Sequence, residues 1–480
     1  MTFAIAALIT WGAGAFGAVY PWAHVPMMTG AAIVGLIGLF GTHVQEPPSR
    51  ALTISLVAIG SAVLLQMVPL PKGVLRSVSP ETDQLLTQYS LTYATSPNPH
   101  PISIDPTRTA VGAYFFGCLA LFLIGASRYL TKHGPEDLAT AVVAIGIVVA
   151  LVGIVQKAIP TGGRIYGFWT PQFHGDIFGP FVNKDHFAGW MLMAVPLALG
   201  SFCGRVAEAS RNVKAGWRNR VAWWSTNEAG TLVLVLAAAM LMMLSLLLTL
   251  SRSGIIAMGA MVVVLVAMIL TRQTQASRRF LAVIGIVAVA SMALGWTGVD
   301  RLAGQFSGVS NSAPARIGIW RDAVHIAALF PVAGIGLNTF GVATILYQTV
   351  AIDVHFTSAH NDYLQLLAEG GALVSVPVII GLIFFAREVW RNARSGRETI
   401  RESWVRTGAV LGIIAIGFQE LVDFSLQIPG NALLFTVLCA IAIHHPREMK
   451  SVRRVGFERR ARVWRRKESG HDDVCETASR

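Results

Sequence analysis

Long uncharged apolar runs recur along the chain, and they decide most of what it can fold into. Each is about as long as the ~20 residues a helix needs to cross a ~30 Å hydrocarbon core. Twelve stand out, at 3–20, 26–42, 51–70, 109–127, 138–157, 187–203, 230–250, 254–271, 280–297, 371–386, 407–422 and 428–444. In hydrocarbon a backbone must satisfy its own hydrogen bonds, so such runs read as helices. The expected fold class is all-α, a polytopic membrane protein with about twelve transmembrane helices. Of the 480 residues 54% are apolar and 13% charged, where a soluble domain carries ~25% charged residues. A soluble globule and a disordered chain are both excluded.

A net charge of +12 would point to nucleic acid in a soluble protein; in a membrane chain it is read by side. The loops 43–50, 128–137, 204–229, 272–279 and 387–406 and the tail from 445 hold 28 of the 38 Lys and Arg residues. That bias assigns them to the cytoplasm and puts both termini inside. The first run lacks a basic n-region and eleven more follow, so it reads as a retained helix and not a signal peptide. The expected division is a membrane domain over 1–444 and a basic cytoplasmic tail over 445–480. The tail interleaves Phe457 and Trp464 with arginines. Directly after a span, that pattern fits anionic membrane lipids, at ~1 kcal/mol per basic residue, better than it fits nucleic acid. Cys118, Cys203, Cys439 and Cys475 lie in spans or at cytoplasmic ends and match no zinc spacing, so no disulfide is expected in the outer loops.

The outer loops are long, at 71–108, 158–186 and 298–370, and they hold the polar chemistry. Arg252, in Ser251-Arg252-Ser253-Gly254, sits in a tight turn between two spans, where a guanidinium can grip a phosphate with two parallel hydrogen bonds. Pro314–Val324 reads as a short amphipathic helix with Arg316 and Trp320 four apart on one face, followed by Arg321. A Gly-rich turn over 331–341 contains Asn338; its glycine spacing is wrong for a dinucleotide fingerprint. Ser358–Asp362 is a helix-start signal, which places His360 and Asn361 at a helix N-terminus just outside the bilayer. An imidazole there can take a proton from a hydroxyl. Asn183, Lys184 and His186 form a polar edge before the sixth run. Taken singly, most of these residues have a plain structural role open to them, as snorkelling cations or helix starts. Asp353, His355, His360 and Asp362 are a possible metal set; neither their spacing nor the arginines on the same face favour a dication. No pair of carboxylates stands out, and an ion pair with one of the arginines is open to Glu369.

Taken together these motifs resemble the O-antigen ligase and polymerase superfamily, bacterial membrane glycosyltransferases that use polyprenyl-diphosphate-linked glycans. The resemblance rests on Phe178–Ala188, Ser251–Gly254, Arg316 with Trp320, the 331–340 turn, and His360-Asn361 running into Glu369-Gly370, and spans roughly 105–440. Similar proteins often have a second Asn where this chain has Asp185. The resemblance implies His360 as catalytic base, Arg252 and Arg316 as catalytic cations, and Asn183, Lys184, His186, Arg321, Asn338 and Asn361 as substrate-binding residues. It also implies a large helical periplasmic loop over 298–370, no metal and no cofactor. The implied activity is transfer of a glycan from undecaprenyl diphosphate to a lipid or glycan acceptor, on the periplasmic face of a bacterial inner membrane. A ligase is the first expectation and a polymerase of lipid-linked repeats the alternative; a protein O-oligosaccharyltransferase ranks below both. A transporter of lipid-linked sugars would instead place ionisable residues along the bilayer midplane.

Overall fold

The computed structural model describes residues 1–41, 49–159, 162–172, 175–212, 218, 223, 225–272, 309–349 and 355–445. Among them the regular structure is helical, with three isolated β-bridges. In chain order the helices are α1 Thr2–Gly14, α2 Pro21–Gly41, α3 Arg50–Leu65, α4 Lys72–Val78, α5 Pro80–Tyr89, α6 Leu91–Thr95, α7 Pro106–His133 and α8 Glu136–Ala158. They continue with α9 Lys184–Asn212, α10 Asn227–Leu248, α11 Arg252–Arg272, α12 Val309–Leu329, α13 Phe340–Tyr347, α14 Asp362–Ala393, α15 Ile400–Gln419 and α16 Pro429–Ile443.

Eleven of the twelve expected runs fall on helices, and 280–297 lies outside the described residues. Among the described residues seven helices are long and apolar enough to cross a membrane: α2, α7, α8, α9, α10, α11 and α14. Helices α1, α3 and α16 are apolar but shorter. Helix α15 carries Arg401, Glu402 and Arg406 in its first two turns, which lowers its apolarity. The amphipathic helix expected at 314–324 is longer, filling Val309–Leu329. Of the expected tail, 446–480 lies outside the described residues, as does Cys475.

Helix α9 is the axis of the bundle. The apolar stretch of α9 is 89% buried, against at most 44% in the other six candidate spans. Trp190 to Val195 are fully buried on every side, as expected of a helix apolar all round. Its most extensive neighbour is α15, which runs antiparallel to it. That approach depends on small residues: a Cβ at Gly408 would overlap the Pro196 carbonyl, and one at Gly412 would press on Met193. The same register carries the C-terminal end of α15, Gln419 onward, to the N-terminal end of α9. Lipid-like surfaces lie elsewhere, on outward faces such as Ile33, Ile37 and Phe40 of α2.

Helix α14 is broken at Gly371 (φ 53°, ψ −159°), the position where the sequence places the start of a span. The Gly-rich turn enters the break: Ala372 and Leu373 donate to Pro331 and Val332 carbonyls, while Ile335 and Gly336 donate to Ala368 and Glu369 carbonyls, all at 2.8–3.1 Å. Buried Gln66 of α3 closes the joint, donating to the Ala333 and Glu369 carbonyls at 2.7 and 2.8 Å and accepting from the Leu337 amide. The Ala372 and Leu373 amides and the Ala368 and Glu369 carbonyls at the break thus find new partners, as irregular chain among membrane helices requires.

Candidate functional site

Five segments converge where α9 begins. The first is the start of α9 itself. Asn183 accepts from the Asp185 amide at 2.9 Å, an Asx turn that opens the helix, and Lys184 pairs with Asp176 at 2.7 Å. His186 follows, 4% exposed, with both ring nitrogens buried and unpartnered among the described residues. The second segment is the turn before α11. Leu250 has φ 56°, Ser251 accepts from the Gly254 amide, and Gly254 packs on Ala188, so half-buried Arg252 stands at the end of the bundle that holds His186.

The third and fourth segments bring the remaining expected residues. His360 takes a left-handed backbone (φ 50°) immediately before Asn361, the N-cap of α14. Asn361 Oδ1 accepts from Tyr363 and Leu364 amides and its Nδ2 donates to the Leu421 carbonyl, so its side chain anchors the helix start to the end of α15. Trp320 of α12 donates through Nε1 to the His360 carbonyl at 3.4 Å. Half-buried Arg316, one turn earlier, acts electrostatically on His360. Arg321 is exposed, and Asn338 (φ 65°) donates its side-chain amide to the Arg108 carbonyl at the start of α7, away from His360.

The fifth segment, the α15–α16 turn, was missed by the sequence reading, and it corrects the expectation that no carboxylates stand out. Asp423 is 2% exposed and accepts from Gln419, which also donates to the Asp185 carbonyl at 3.0 Å. Asp362 hydrogen-bonds Glu420, and Gln427 donates to Asp362 at 2.7 Å. Phe424 stands between the two imidazoles, with its centroid 4.8 Å from each ring and edge-on to both. A signal existed: Gln419, Glu420 and Asp423 crowd the outer end of the 407–422 run, and charge near the membrane plane is expensive. Glu369 also needs correcting. Among the described residues it pairs with no arginine; it accepts from the Asn338 and Phe340 amides at 2.7 and 3.0 Å and from Gln365, and so holds the Gly-rich turn. His355 bonds the Gly341 carbonyl and Thr344, and Asp353 lies outside the described residues.

The electrostatics follow from burial and neighbours. Burial first, and then the Arg316 charge, pull the His360 pKa from 6.5 to about 4, while Asp185 opposes the shift. The imidazole is therefore neutral at pH 7, with a lone pair available. Burial first, and then the Asp185 charge, push Asp423 up to about 7, opposed by its neighbours Phe424 N–H, Arg316 and Gln419. Arrayed this way, a neutral base stands beside a fixed cation, with the Asp185 carboxylate placed to meet positive charge formed on the base.

Residues 237–386 match the family model described as O-antigen ligase. Over that stretch the chain is similar to the O-antigen ligase family. The ligase match runs from α10 into α14 and takes in Arg252, Arg316, Arg321, Asn338, His360 and Asn361. Asn183, Lys184, His186 and the Asp423 turn lie outside the ligase match, on segments the fold packs against it. Seven apolar helices among the described residues fit a multi-pass membrane protein, and the matched stretch is similar to ligases of the O-antigen type. No curated protein matches the chain.

Proposed function

We propose that this protein moves a glycan from undecaprenyl diphosphate to an acceptor hydroxyl at the outer leaflet of a bacterial inner membrane, as a ligase. The observation that supports this most is the pairing of a neutral, buried His360 with Arg316 at one end of the bundle. That end is opposite the basic loops 128–137 and 387–406, which fits a periplasmic site and cytoplasmic termini.

In this reading the donor's diphosphate lies against Arg252 and Arg316. The acceptor oxygen attacks the anomeric carbon, the bond from that carbon to the diphosphate oxygen breaks, and His360 takes the hydroxyl proton. Charge grows on the leaving diphosphate, and cations already fixed in a poorly hydrated site stabilise it without reorganising. A second positive charge on His360 beside Arg316 is unfavourable by itself; Asp185 and the incoming diphosphate offset it. Single displacement inverts the anomeric configuration. The test supplies purified protein with lipid-linked glycan and each candidate acceptor, without metal or nucleotide. Inverted glycan on a lipid acceptor is the expected product. Glycan on a second lipid-linked repeat would make the protein a polymerase, and retained configuration would move the chemistry to a carboxylate such as Asp423.

A further inference from the structure

Beside the site lies a cluster of aromatic rings that the transfer chemistry does not use. It is built from the end of α1, the start of α2 and the short hairpin in which Ile165 pairs with Trp169. Phe16 and Tyr20 form its buried floor, at 5% and 3% exposure. Trp169 stacks on Phe16 with centroids 4.9 Å apart, and Trp22 lies parallel to Tyr20 at 6.1 Å. Above that floor Trp11, Trp22, Tyr166 and Phe168 are 41–71% exposed.

Two features set this cluster apart from an aromatic belt at a lipid headgroup layer. In a belt the amphipathic rings turn their polar tips toward water and headgroups. Here three of the polar tips bond the protein's own chain: Trp11 donates to the Ala23 carbonyl at 2.9 Å, Tyr166 to the Gly14 carbonyl at 2.7 Å, and Trp169 to Tyr20 Oη at 3.5 Å. What remains exposed is ring surface held at a fixed angle. Second, Phe16, Ala18 and Tyr166 all have positive φ (63°, 56° and 55°) without being glycines, a strain that persists where packing over-determines the chain and that gathers at ligand clamps.

The cluster is also continuous with the site. Gly17 packs against Ile428 and Phe181, and Val182 belongs to the same buried group as Phe16 and Tyr20. Ile428 ends the turn whose other end presents Phe424 to His360. A chain leaving the reacting centre thus has a path across that turn to the exposed rings.

We propose that these rings are a stacking platform for the pyranose rings of a glycan chain, several sugars away from the reacting one. Apolar C–H faces of sugars pack on rings whose orientation costs nothing further to fix, and exposed Arg164 and Gln172 flank the platform as hydrogen-bonding partners for hydroxyls. The proposal rests on the glycosyltransferase reading for its choice of ligand, but its test reads binding and not transfer.

The experiment uses the full chain in phosphatidylglycerol and phosphatidylethanolamine nanodiscs. It is titrated with lipid-free polysaccharide released by mild acid from the source cell envelope, and tryptophan fluorescence is followed. Saturable binding is expected in the wild type and undiminished in His360→Ala. Phe168→Ala, which removes a 71% exposed ring and leaves the fold alone, should weaken binding at least tenfold. Trp22→Ala should do the same and Trp22→Tyr should restore most of it. No saturable binding, or equal binding by Phe168→Ala and wild type, overturns the platform, as does fluorescence quenched by brominated lipid and indifferent to polysaccharide, the mark of a lipid belt. If polysaccharide binds while no transfer is found with any acceptor, the platform stands and the transferase reading falls.

Discussion

The two ends of the bundle both bury charge, and they treat it in opposite ways. At the end where α15 begins, Arg406 is 2% exposed and its guanidinium is fully used. It pairs with Glu398 and donates to the carbonyls of Ala442 and His444, closing the C-terminus of α16. Nearby Asn392 donates to the Ile443 carbonyl and Glu388 pairs with Arg391 and His445. That is how buried charge is made tolerable, with each donor satisfied and the helix end capped. At the other end His186 keeps both ring nitrogens and His360 its Nδ1 without partners among the described residues, and His360 feels the charges of Arg316 and Asp185. Buried polar atoms left open cost stability and call for a reason. The difference teaches that one cluster holds helices together while the other is held ready by helices.

Substitutions at each end test that contrast, and the largest effect should come from the base. His360→Ala is expected to lower transfer by ~10²–10⁴ in rate, with donor binding retained, as measured by turnover and by titration with lipid-linked glycan. Turnover at the wild-type rate would remove the base from the scheme. Next come the cations. Arg316→Lys and Arg252→Lys keep the charge but lose the planar fork, and complete loss of such a contact costs ~3–4 kcal/mol in the barrier. We expect each to lie well below wild type in kcat; equal rates would mean that charge alone matters.

Where sequence reading succeeded and failed has a physical basis. The helices were legible because a long uncharged run has few other stable forms in lipid. The start of a span at 371 was legible because Glu369-Gly370-Gly371 marks the end of apolar uniformity, and the helix breaks there. Gln66 was invisible, since its three backbone partners lie more than 260 residues away. Glu369 was misread because the turn amides that hold it become acceptor-seeking only after the turn folds into the break. Asp423 and Phe424 were lost inside a boundary between two runs, although the polar cluster from Gln419 was there to be weighed. His360, Arg252 and Arg316 were legible as residues. That Phe424 would sit between His360 and His186 was not, because it depends on how α15 packs along α9.

At the opposite end the expected effect is on stability and not on rate. Arg406→Met leaves the Glu398 carboxylate buried without its partner and the last carbonyls of α16 without donors. Breaking a buried pair from one side typically costs ~3–5 kcal/mol. Thermal or denaturant unfolding in detergent should show that loss, while turnover per folded molecule stays near wild type. A variant as stable as wild type but slow would join the two ends functionally and defeat the contrast.

The smallest effect is a shift in pH dependence, and its sign is fixed by the neighbours of His360. A general base must be unprotonated, so kcat/KM should stay level as pH drops through 6.5 and fall only as it passes through about 4. Arg316 is one cause of that low value, so Arg316→Gln should move the acid limb upward, toward 6.5, whatever it does to the plateau. Asp185 opposes the shift, so Asp185→Asn should move the limb further down. Profiles normalised to each variant's own plateau separate these displacements from the losses in rate. A limb at 6.5 in the wild type, or two variants that shift the same way, would mean that His360 is solvated and that the open nitrogens at this end are ordinary surface groups, not a poised site.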